Sequence, residues 1–229
     1  SDTTVAMHLD TNGGVRWVTP LSNVHGDIYQ NIAPDASGGA FVVGIGQQYN
    51  SCIVSRLNAT GHIQWRRPIS ADKIFLGPVI APDGSIGAFI TWYISHGEIF
   101  QEERPQSKVA RIDAVGDIEW VTNVMGVSNN VDVIPRSIAS DGVGGTLVTG
   151  RFKGTATIGD ASITSNANAG QGSNPTDIYA FNLNASGHLQ WIASTGGVGP
   201  EGGKSIVPDG MGGAFVTSLH ESDVRISIQ

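Results

Sequence analysis

Along this chain apolar residues come in short runs that alternate with polar ones, and each run stops at Gly, Asn or Asp. In Ile63-Gln64-Trp65 the alternation sets Ile63 and Trp65 on one face of an extended strand and Gln64 on the other, the period of a half-buried β-strand. The pattern recurs. A gapless unit of twelve residues occurs four times: AMHLDTNGGVRW (6–17), VSRLNATGHIQW (54–65), VARIDAVGDIEW (109–120) and AFNLNASGHLQW (180–191). Its fourth position is Leu or Ile, its eighth Gly, its tenth Val, Ile or Leu, and its last Trp: Trp17, Trp65, Trp120 and Trp191. A second gapless unit, of thirteen residues, also occurs four times: IAPDASGGAFVVG (32–44), IAPDGSIGAFITW (80–92), IASDGVGGTLVTG (138–150) and IVPDGMGGAFVTS (206–218). Ile opens each copy, Asp stands fourth (Asp35, Asp83, Asp141, Asp209) and Gly eighth (Gly39, Gly87, Gly145, Gly213).

Each unit predicts a β-hairpin. In the twelve-residue unit an alternating arm enters Asn-Ala-Thr-Gly-type turn chemistry and leaves on the Trp-bearing strand. In the thirteen-residue unit the Asp carboxylate can bond the backbone two residues on, and Gly takes positive φ without steric cost. Period and turn chemistry therefore account for the recurring Asp, Gly and Trp as turn and core residues. Four equivalent Asp residues lack the clustered oxygen ligands of a calcium loop, so no metal site is expected.

The units alternate strictly, and two hairpins make a four-stranded meander of roughly 50–70 residues, the size of a propeller blade. The expected fold is all-β: one domain over residues 1–229, a four-bladed β-propeller of four-stranded antiparallel blades at about 21–67, 68–122, 123–193, and 194–229 plus 1–20. Because the chain begins with the second half of a blade and ends with the first half, the fourth blade would be closed by both termini, removing exposed edges. An open half-ring pairing with a second copy is the alternative. A further alternating segment, DVRISIQ (223–229), carries Val224, Ile226 and Ile228 and is expected as a surplus strand that adds to its own edge or a neighbour's.

Residues 138–218 hold the sequence ASDGVGGTLVTGRFKGTATIGD, then TDIYAFNLNASGHLQW, then GGKSIVPDGMGGAFVTS. This resembles the bacterial β-propeller repeat family of secreted and surface proteins, whose Gly-rich units read D-x-x-G-x-x-x-V-T-G … D-I-x-x-x-x-L-x-x-x-G-x-x-x-W. The other predicted blades match at the hairpins but lack the TATIGDASIT stretch. The resemblance implies propeller architecture and an extracellular or cell-surface setting, and it offers no catalytic residue to carry over. The Gly-to-Trp ending is also similar to quinoprotein propellers. Those need more blades and cofactor-binding residues not recognisable here, so no cofactor is expected.

Composition narrows the function classes. Thirty-one glycines among 229 residues and only 14% charged residues suit a turn-rich β protein. A net charge of −7, with Arg66-Arg67 the largest basic cluster, argues against nucleic acid. No apolar run reaches the roughly 18 residues of a membrane-spanning helix, so no membrane insertion is expected. The single cysteine, Cys52, lies in an apolar strand and reads as a buried thiol. No G-x-S-x-G, P-loop or H-E-x-x-H motif occurs. His96 with Glu98, Glu102 and Glu103 forms an acidic loop without convergent ligand geometry. The protein is expected not to be an enzyme and to have no catalytic residue.

Links between units vary where function tends to sit. From thirteen- to twelve-residue unit they run over 45–53, 93–108 and 151–179. Tyr49 in the first link, and Trp92 and Tyr93 at the edge of the second, are the candidate ligand-binding residues, since aromatics with polar neighbours can stack on a sugar ring. Two functions follow as expectations. One is a non-enzymatic extracellular structural or assembly module, binding itself or another surface protein and forming a homopolymer through its terminal strands. The other is a carbohydrate-binding propeller using the variable links to bind glycans.

Overall fold

Every one of the eight units folds as an antiparallel hairpin in the computed structural model, which describes residues 4–21, 28–46, 51–70, 74–94, 106–128, 131–165, 176–197 and 199–219. The turns use the chemistry their residues dictate. Asn58 Oδ1 accepts from the N–H groups of Thr60 and His62, while Gly61, at φ 82°, closes the turn by donating to the Asn58 carbonyl at 2.9 Å. In the longer unit Asp35 Oδ1 accepts from the N–H groups of Ser37 at 2.9 Å and Gly39 at 2.7 Å.

The strands are, in chain order, β1 (Val5–Leu9), β2 (Val15–Pro20), β3 (Ile28–Pro34), β4 (Ala40–Ile45), β5 (Cys52–Leu57) and β6 (Ile63–Ser70). They continue as β7 (Ile74–Pro82), β8 (Ala88–Ile94), β9 (Gln106–Ile112), β10 (Ile118–Gly126), β11 (Asp132–Ser140) and β12 (Thr146–Lys153). Then come β13 (Thr155–Ile158), β14 (Ala161–Thr164), β15 (Asp177–Leu183), β16 (Leu189–Thr195), β17 (Gly202–Pro208) and β18 (Ala214–Leu219). No helix occurs among the described residues, and none is there that could cross a membrane.

These strands form five sheets. Two are four-stranded meanders, β3-β4-β5-β6 and β11-β12-β15-β16. A third, β7 to β10, is widened to six strands because the hairpin β13–β14, which belongs to the link between β12 and β15, adds to the edge of β10. The remaining two are the single hairpins β1–β2 and β17–β18. Adjacent sheets meet through their first strands, β3 beside β7, β7 beside β11 and β11 beside β17.

The core lies between sheets. Phe41, Val43 and Val54 of the first four-stranded sheet pack on Ile90, Trp92 and Ile112 of the second sheet. Phe89 and Val109 of that second sheet face Val148, Phe181 and Leu183 of the third. The N-terminal hairpin covers the first sheet through Ala6 and the half-buried Trp17, with Leu21 beside them. Every residue of β4 and of β8 is buried, so these strands are covered on both faces.

The all-β expectation holds, but the ends depart from it. The hairpins expected to join as one fourth blade are separate two-stranded sheets, with no strand pairing between them. Each is instead anchored to its neighbour in sequence, β1–β2 on the first four-stranded sheet and β17 on β11 and β12.

Candidate functional site

The joint between consecutive sheets repeats the same few contacts, and the hairpins β1–β2 and β17–β18 present that joint unfilled among the described residues. The Trp that closes each of the first three twelve-residue units donates its indole N–H to the sixth-position carbonyl of the next unit. Trp17 reaches Ala59 O at 3.1 Å, Trp65 reaches Ala114 O at 2.9 Å and Trp120 reaches Ala185 O at 2.8 Å. Each ring lies over the turn glycine of the unit it bonds. A Cβ on Gly116 would sit 2.9 Å from the Trp65 ring, and one on Gly187 would sit 2.8 Å from that of Trp120. Glycine is required there twice over, by positive φ and by the ring.

Within a sheet, the recurring Asp has a second partner. Its Oδ2 takes the side chain at the third position of the facing twelve-residue unit: Arg56 to Asp35 at 2.9 Å, Arg111 to Asp83 at 2.9 Å, Asn182 to Asp141 at 3.1 Å. Burial pushes the Asp35 carboxyl up, but hydrogen bonds from Ser37, Arg56 and the Gly39 N–H outweigh it and hold the group below the ordinary carboxylate value. Asp83 is held low in the same way, against the same burial, by Ser85 and Arg111. Arg56 also lies 5.6 Å over the Phe41 ring, and Arg111 5.9 Å over that of Phe89.

At the chain ends the same positions lack these partners among the described residues. Phe215 is 67% exposed, whereas its equivalents Phe41, Phe89 and Leu147 are at most 1% exposed. Leu9 is 51% exposed, whereas Leu57, Ile112 and Leu183 are fully buried. His8, at the third position of its unit, has a buried Nδ1 with no hydrogen-bond partner. Asp209 uses Oδ1 for the N–H groups of Met211 and Gly213, as its equivalents do, but no cross-strand side chain reaches Oδ2. Nothing lies within 4 Å of where a Cβ on Gly13 would be, where its equivalents carry a Trp ring. Trp191, the last Trp in the series, turns to Gly212 O at 3.3 Å.

The residues singled out in the sequence as ligand-binding candidates are placed differently. Trp92 is 1% exposed, inside the cluster between the β3–β6 sheet and the sheet that holds β7 to β10, and Tyr93 is 4% exposed with its hydroxyl donating to Asp132 Oδ1 at 2.8 Å. β8 continues through both of them, covered on both faces, before the link begins. Tyr49, Val224, Ile226 and Ile228 lie outside the described residues. The third-position residues and the end-strand apolars escaped the sequence reading. Their signal was that His8, Arg56, Arg111 and Asn182 are all able to donate from one repeat position.

Chemistry elsewhere is sparse. A groove of about 420 Å³ between β10, β13 and the β15–β16 turn is lined by Thr122, Asn123, Thr157 and His188, with no carboxylate to partner the imidazole. Cys52 is buried, and burial pushes its thiol far up from the ordinary value. Among the described residues no group of three His, Cys, Asp or Glu could hold a metal ion. Compared with known proteins, the chain matches no family model and no curated sequence.

Proposed function

We propose that the protein is a non-enzymatic structural module of an extracellular or cell-surface assembly, one that joins to copies of itself through the two ends of its chain. The observation that carries this reading is the pair of end hairpins whose exposed apolar residues, Phe215 and Leu9 foremost, occupy positions buried in every complete sheet. Exposed strand edges invite pairing with another chain, and natural proteins blunt such edges unless they are used. In this reading the hairpins β1–β2 and β17–β18 are the two halves of one propeller blade, and each chain supplies four blade equivalents. The split blade is completed on association rather than by one chain alone. Glycan binding lacks comparable support, since its two described aromatic candidates lie in the core.

Molar mass in solution across a concentration series tests the reading. Mass should rise with concentration to multiples of the 23.9 kDa chain. A constant mass of one chain at all concentrations would overturn it.

A further inference from the structure

We propose that β18 of one copy pairs antiparallel with β1 of a second copy in a single register, Ala214 opposite Leu9, Phe215 opposite His8, Val216 opposite Met7 and Thr217 opposite Ala6. This deepens the end-to-end reading and rests on it. The register follows from the complete sheets. Ala40 faces Leu57, Phe41 faces Arg56 and Val42 faces Ser55 in the first. Ala88 faces Ile112 and Phe89 faces Arg111 in the second, and Thr146 faces Leu183 and Leu147 faces Asn182 in the third. The ninth position of the longer unit thus always faces the fourth of the shorter one, and the ends carry those positions as Ala214 and Leu9.

In that register four unfilled places are filled together. The His8 imidazole meets Asp209 Oδ2, the place Arg56 and Arg111 take on Asp35 and Asp83. Phe215 comes against Trp17, as Phe41 lies 6.0 Å from Trp65 and Phe89 lies 6.0 Å from Trp120. Gly213 takes the Leu9 carbonyl against its Cα, as Gly39, Gly87 and Gly145 take those of Leu57, Ile112 and Leu183. The Trp191 indole turns from Gly212 to the Thr11 carbonyl, with its ring over Gly13, repeating the joint made by the other three Trp residues. A second copy is the occupant because the missing partners are repeat positions this chain itself carries, and its own end hairpins do not pair with each other among the described residues. The contact joins two different surfaces, so repetition gives a head-to-tail chain of copies.

Cross-linking reads the register directly. Opposed residues of an antiparallel pair have Cα atoms about 4.5–5.5 Å apart, inside the span of about 4.4–6.8 Å that a disulfide bridges. Mixing Met7→Cys chains with Val216→Cys chains under mild oxidant should give a covalent dimer, and Cys52, being buried, stays out of the reaction. Met7→Cys with Thr217→Cys should give none, because a one-residue offset turns the side chains to opposite faces. In light scattering, His8→Arg should tighten association about tenfold, since Arg serves at this position in two complete sheets and charged hydrogen bonds exceed neutral ones. An unchanged or weaker association of His8→Arg overturns the Asp209 contact. If the double variant Met7→Cys/Val216→Cys links within one chain while the mixed single variants stay apart, the second copy is overturned in favour of self-closure. If the wild-type chain associates but the mixed variants do not link, the register is wrong and end-to-end assembly stands. A monomeric wild-type chain with no cross-link removes both.

Discussion

Phe215→Ala separates the two roles one repeat position plays. In complete sheets this position is fully buried as Phe41 and Phe89, and at the chain end it is 67% exposed as Phe215. A phenylalanine buries about 200 Å² at most, so covering the exposed two-thirds removes about 130 Å² from water, worth about 3 kcal/mol at ~25 cal/mol per Å². Ordering at the junction takes back part of that, leaving about 2 kcal/mol, or roughly thirtyfold in Kd. Sedimentation velocity over a concentration series should therefore show Phe215→Ala associating about thirtyfold more weakly. In dilute solution, where chains are separate, its Tm should stay within the effect of about 0.5 kcal/mol typical of surface changes. Phe41→Ala and Phe89→Ala should do the opposite, losing about 3–5 kcal/mol of folding stability and lowering Tm by roughly 6–20 °C for a chain of this size. A dilute Tm lowered as far by Phe215→Ala as by Phe41→Ala, or association left untouched, would refute a role for this side chain between copies.

Three further outcomes follow from the repeated contacts. Gly116→Ala should destabilise by about 3 kcal/mol in denaturant titration, since it adds a clash 2.9 Å from the Trp65 ring to the strain at φ 84°, whereas Gly142→Ala, at φ 83° in open space, should cost about 1–2 kcal/mol. Arg111→Met should cost about 2–3 kcal/mol by the same assay, because it removes the counter-charge of the Asp83 carboxylate, whose side chain is almost wholly buried. With acid the sign is fixed by Asp35 and Asp83, both held below the ordinary carboxylate value. Their contribution is complete above the unfolded value of about 4 and is lost as pH falls through the lower folded values, so Tm should drop below about pH 4.

The hairpins were legible in sequence because their information is local. Asn58, Asp35 and Gly61 specify their turns through bonds to residues two to four positions away, and alternation then assigns the strand faces. The burial of Trp92 and Tyr93 was hidden in the sequence for a physical reason. Alternation marks a strand with one wet face, but β8 lies between two other layers, so its run of seven buried residues looked like a strand ending in an exposed aromatic edge. The Asp–Arg pairing was half visible. Asp35 announced a turn, while its second oxygen engages a residue 21 positions on, a contact that appears only once β4 and β5 are in register. The unfilled ends became recognisable only by comparing equivalent positions for burial, since Leu9 and Leu57 read alike in a sequence.

The hairpin β13–β14 has a consequence for how the molecule comes apart. It belongs by sequence to the third sheet, yet Ala156, Thr157 and Ile158 are paired with Gly126, Met125 and Val124 of the second, and its apolar side chains Ala156, Ile158 and Ile163 sit in the core these two sheets share. Tension applied between residues 126 and 177 therefore cannot spread these sheets without first peeling a strand pair sideways. Amide exchange should find the second and third sheets opening as one cooperative body, with the first sheet, joined by no such borrowed strand among the described residues, opening on its own at lower cost.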